Sequence, residues 1–122
     1  MRVVLVISLV CACLMIAQGC DQKPANSSEA MARVDAAVRI NNPTERDDAL
    51  GPACRGAAKI GAVDAVKKGL AGIGNPTLRD EVASDSALAL RDSGQRGAAT
   101  EVTNFIGNPT QGDNILKRLA AP

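Results

Sequence analysis

Ile40-Asn41-Asn42-Pro43-Thr44-Glu45-Arg46-Asp47 is the stretch on which the fold turns, because the chain repeats its frame twice more. The frame returns as Ile73-Gly74-Asn75-Pro76-Thr77-Leu78-Arg79-Asp80 and as Ile106-Gly107-Asn108-Pro109-Thr110-Gln111-Gly112-Asp113. The Ile, the Asn-Pro-Thr and the final Asp occur in all three copies, and successive prolines are 33 positions apart. A fixed period in the thirties marks helix pairs stacked side by side, since one pair alone cannot bury its apolar face.

Comparing residues 40–72 with 73–105 adds Arg46/Arg79, Gly61/Gly94 and Ala65/Ala98 to the matches. Residues 106–120 form a half copy, and 29–40 read as the second half of an earlier one, with Ala32 placed 33 before Ala65. The matches fall where helices start and stop. Thr-x-x-Asp is a capping-box pattern, in which the hydroxyl accepts from a backbone N–H and the carboxylate reaches back. It makes Thr44/Asp47, Thr77/Asp80 and Thr110/Asp113 candidate structural caps. The Asn before each Pro is an equal candidate, with Pro as first helical residue, and the sequence leaves that choice open. Gly74 and Gly107 are expected in the left-handed conformation after a helix, and Gly61 and Gly94 in the turn inside each copy.

Between these marks the apolar spacing is three and four, as in Leu78, Val82, Ala83, Ala87 and Leu90. No stretch alternates as a half-buried strand does. The expected fold is all-α: a short α-solenoid of about six antiparallel helices over 28–40, 44–59, 62–73, 77–92, 95–106 and 110–120. Two features read as weaknesses. Pro52 inside the second helix should kink or break it at a cost of about 3 kcal/mol, its ring outward because Asp85 holds the matching place. Gly69 and Gly72 each cost about 1 kcal/mol relative to Ala. An Ala-rich core buries little area per helix, so self-association as a homo-oligomer, or docking on a partner, would supply missing burial.

The N-terminus reads as an export signal. Arg2 precedes an apolar run from Val3 to Ala17, about 15 residues where a spanning helix needs about 20. Ile16-Ala17-Gln18-Gly19-Cys20 resembles the lipobox of bacterial lipoproteins, although Ala17 stands where that family usually has Leu. The resemblance implies cleavage after Gly19 and acylation of Cys20, anchoring the chain to a membrane of the bacterial cell envelope and facing the periplasm. Asp21 implies retention in the inner membrane, by resemblance to enterobacterial lipoproteins. The expected layout is a signal over 1–19, lipidated Cys20 and a flexible tether over 20–28, and a helical domain over 29–122.

Composition excludes several functions. Without Arg2 the chain carries 13 basic and 13 acidic residues, so no basic field exists for nucleic acid. Phe105 is the only aromatic residue, which removes base stacking. With no His, no Cys–His pair forms. Cys11 and Cys13 leave with the signal. An acylated Cys20 leaves Cys54 alone, whereas an unacylated one leaves a Cys20–Cys54 bridge open. Cys54 aligns with Ala87 and Ala120, which points to a small core residue. Asp47-Asp48 and Asp80-Glu81 lie in first helical turns, where the helix dipole favours acids. No catalytic residue, metal site or cofactor is expected.

The layout over 29–120 resembles the tetratricopeptide-like α-solenoids, in repeat length, the Gly between helices, the small Ala65/Ala98 after it and the Pro after the second helix. It departs from them in lacking the usual Trp or Tyr, which leaves other solenoid subfamilies open. The resemblance implies non-catalytic binding of a protein partner in the cell envelope, as an interaction or assembly module. The alternatives are a structural envelope spacer or a regulatory subunit of an envelope enzyme. Arg46-Asp47 and Arg79-Asp80 read as inter-repeat salt bridges or caps, or as a ladder gripping a partner. The candidate partner-binding face joins Glu81, Asp85, Leu88 and Asp92, spaced by four, three and four, to Arg55 and Lys59 of the earlier copy, with Leu88 its misplaced apolar residue.

Overall fold

The computed structural model describes residues 23–122. The expected signal over 1–19, Cys20 and Asp21 lie outside the described residues. Among those described, the chain is all-helical: α1 Ser27–Val38, α2 Pro43–Lys59, α3 Val63–Gly72, α4 Pro76–Asp92, α5 Arg96–Val102 and α6 Pro109–Ala120, with a 3-10 turn Thr103–Phe105 after α5. The two long helices are central. α2 packs against α1, α3 and α4, and α4 packs against α2, α5 and α6. No helix among the described residues is long and apolar enough to cross a membrane.

α2, α4 and α6 each start at the repeated triplet. Asn42 is extended (φ −72°, ψ 118°), and its side chain accepts from the Thr44 and Glu45 amides. Asn75 does the same for the Thr77 and Leu78 amides, and Asn108 accepts from the Gln111 amide. The cap is therefore Asn, and the expectation that Thr44, Thr77 and Thr110 cap is corrected. Pro takes the first helical position, where its missing N–H costs nothing and its fixed φ suits the helix; that leaves Thr one residue inside.

The helices end as chemistry requires. Gly61 (φ +73°) and Gly94 (φ +87°) take the left-handed conformation. Around Gly61, the Gly61 amide donates to Ala58 O and the Ala62 amide to Ala57 O, a Schellman closure repeated by Gly94 and Gln95. Gly74 and Gly107 were expected in that conformation and are not. α5 is shorter than its spacing predicts. Thr103 Oγ1 donates to Thr100 O at 2.6 Å, and such local bonds compete with the helical ladder.

Of the kink or break expected at Pro52, the break does not occur: α2 runs on through it. Pro52 is exposed. Its neighbour Gly51 has no Cβ to meet the Pro ring, which relaxes the restriction on the residue before Pro. Gly69 and Gly72 correct another expectation. A Cβ at Gly72 would lie 2.9 Å from Val38 Cγ1 and 3.0 Å from Leu50 Cδ1, and one at Gly69 would overlap Cys54 Sγ. Their bare backbones let α3 sit close to α1 and α2, so they are packing features rather than weak points. The core they close is aliphatic, with Leu50, Leu70, Ile73 and Leu90 its largest fully buried side chains.

Ordered structure begins before the expected domain boundary at residue 29, with α1 starting at Ser27. Pro24 is buried against Gly56, the Ala25 amide donates to Glu29 Oε2, and Asn26 caps α1 through the Glu29 amide. The bond from Ala25 and the Arg33 guanidinium hold the Glu29 carboxyl below the usual range.

Candidate functional site

The repeated Asp is the first site residue to change role. Asp47 is buried, and its carboxylate accepts from the Gly74 and Asn75 amides, both at 2.9 Å. Asp80 accepts from the Gly107 and Asn108 amides at 2.7 and 3.1 Å. Asp47 reaches forward to the start of α4 and Asp80 to the start of α6, instead of back to their own caps. The two amides precede a helix N-terminus, where the dipole favours an anion, and ionised acceptors form the stronger hydrogen bonds. Asp113 is exposed and makes no such bond among the described residues. Arg46 and Arg79 form no salt bridge there either; both are half-buried with Nε lacking an acceptor.

The mixed-charge face is partly assembled. Arg55 Nε donates to Asp85 Oδ2 at 2.9 Å, and its Nη2 lies 3.6 Å from Glu81 Oε1, joining α2 to α4. These pairs are half-exposed and stabilise little. Asp92 pairs instead with neighbouring Arg91. Lys59 is exposed. Leu88, expected to stand out as misplaced, is half-buried and packs against the core. Among the described residues, Leu116 of α6 is the large apolar side chain left exposed, at 39%.

Arg55 and Lys59 also border a groove of about 800 Å³ between α1 and α2. Ala36 and Ala37 of α1, Ile40 just after it, and Ala49, Pro52 and Ala53 of α2 line it. Lys23 and Arg33 join Arg55 and Lys59 as its basic members. An apolar floor with a charged border can take an apolar helix face and orient it by charge. Sequence reasoning missed this groove. Ala36, Ala49 and Ala53 align in the 33-residue frame with Gly69, Val82 and Ser86, whose burial shows only in the packed fold.

Cys54 belongs to the core. It is fully buried, its thiol faces Val66 O at 3.9 Å, and it forms no disulfide. Burial pushes the thiol from its ordinary 9.0 up to about 12, against a smaller opposing pull from Arg55. The thiolate is the reactive form, so native Cys54 should resist alkylation at pH 8 and react once the chain unfolds; rapid native labelling would contradict this burial. The unfolded thiol releases its proton near 9.0 and the folded one near 12, so between them the unfolded state binds fewer protons. This contribution to stability is full below pH 9.0 and falls as pH rises towards 12. Denaturation of Cys54→Ala across that window should show a shallower decline than wild type.

Among the described residues no group of three or more His, Cys, Asp and Glu gathers to hold a metal ion. Comparison with protein-family models, curated proteins and solved structures finds no match.

Proposed function

We propose that this chain is a lipid-anchored protein of the bacterial cell envelope that binds another protein through the α1/α2 groove, with no chemistry of its own. In this reading the helices form a short α-solenoid of the tetratricopeptide-like kind. Cys20 carries the lipid and holds the domain on the periplasmic side, at the inner membrane by the reading of Asp21. The observation that carries the proposal is the open groove, apolar in its floor and basic at its border. A helix with an apolar face gains by leaving water there, and acids on its flanks would meet Lys23 and Lys59.

Two substitutions test the two halves. Cys20→Ser should move the protein from the membrane to the soluble fraction and abolish labelling by a fatty acid; persistence in the membrane with label would defeat the anchor. Ala53→Arg fills the groove floor. It should lower capture of a stoichiometric envelope partner by about tenfold or more, with circular dichroism unchanged. Undiminished capture by a folded Ala53→Arg protein would defeat the groove as the binding site.

A further inference from the structure

Among the described residues, two surfaces lack the neighbour that their equivalents in the 33-residue frame possess, and the two fit each other. The first is the α1/α2 groove. Moving its residues forward by 33 gives the seat on which α2 itself lies. Arg33 moves to Val66 and Ala36 to Gly69, the two residues that Cys54 meets. Ala49 moves to Val82, which Gly51 faces, and Pro52 to Asp85, which binds Arg55. The groove is thus built to receive a helix of the α2 type.

The second surface is the outer face of α6, whose residues stand 66 after those of α2. Leu116 corresponds to fully buried Leu50 yet is exposed. Asp113 corresponds to Asp47 but makes no hydrogen bond among the described residues. The amides that it would need, by the same offset, are those of Asn41 and Asn42, which have no acceptor among the described residues. Ala120 corresponds to Cys54 and would face Ala36 in place of Gly69, so two methyl groups replace one thiol over bare backbone. Ser84 accepts from Gln111 Nε2 at 2.9 Å. The same step places Lys117 against Glu45, which are opposite charges.

We propose that α6 of one copy seats in the α1/α2 groove of a second copy, so that chains associate head to tail. The inference rests on the stacked-repeat reading above and names the chain itself as a partner of the groove. Such an interface joins two different surfaces, so each added copy leaves one of each open, giving rings or filaments. Apolar contact of Leu116 and Ala120 with the groove floor supplies affinity, while Asp113 and the Lys117–Glu45 pair set register.

Sedimentation of the full chain in detergent, over a concentration series, tests this. Wild type should form dimers and larger species as concentration rises. Leu116→Asp spoils α6, and Ala53→Arg spoils the groove; each alone should sediment as a folded monomer. A one-to-one mixture of the two should recover a dimer, because one intact α6 meets one intact groove. Lys117→Glu should weaken association about tenfold, and adding Glu45→Lys in the same chain should restore it. A monomer up to millimolar concentration overturns the proposal, whether the groove is empty or filled by the chain's own N-terminal residues. So does a dimer that survives both single variants, or a mixture that stays monomeric. If the monomer still captures an envelope partner that Ala53→Arg loses, the self-association fails while the groove remains a binding site.

Discussion

Gly69→Ala should lower the melting temperature by about 10 °C, although Ala is the better helix former. The new Cβ overlaps Cys54 Sγ, and the neighbouring Val34 methyls lie 3.6 and 3.7 Å away, so the side chain has nowhere to turn. Overpacking of this kind costs about 3 kcal/mol, and the gain in helix propensity returns about 1 kcal/mol. The net loss of about 2 kcal/mol corresponds to that shift for a domain of this size. Cys54→Ala alone should cost about 1 kcal/mol through the space that it leaves. The double variant should recover most of the loss, because the added methyl fills the space vacated by sulfur, and the coupling between the sites measures the contact. Gly97→Ala is the control. It is exposed and helical with nothing near its Cβ seat, so it should raise stability by up to about 1 kcal/mol. Equal effects at Gly69 and Gly97 would refute the close approach of α3 to Cys54.

Asp47→Ala should cost about 2 kcal/mol in chemical denaturation. It removes two bonds to a charged acceptor and leaves the Gly74 and Asn75 amides to water, which reaches them because both residues are exposed. Asp80→Ala removes the same pair of bonds from a less buried carboxylate and should cost about 1 kcal/mol. Asp113→Ala should change stability by less than about 0.5 kcal/mol at low micromolar concentration, where association does not contribute. The order Asp47, Asp80, Asp113 is the test. A capping role would make the three equal, since all occupy the same place after Asn-Pro-Thr.

The same contrast separates what was legible in the chain from what was not. The period of 33, the helix limits to within a residue or two at most ends, and the turns at Gly61 and Gly94 follow from local rules: apolar spacing of three and four, Pro at a helix start, Gly where φ is positive. These depend on residues near one another in sequence, so the sequence determined them. Which side chain caps was open, because Asn and Thr are both good N-cap residues; the backbone at Asn42 decided it. The roles of Asp47, Gly69, Leu88 and the α1/α2 groove were decided only in three dimensions. Asp47 finds its donors 27 and 28 residues away. Gly69 is placed by a thiol on another helix. Leu88 is half-buried against the core, which its spacing along α4 did not show. Propensity scores Gly69 as a loss because it counts one helix at a time, while close packing between helices turns that loss into a fit.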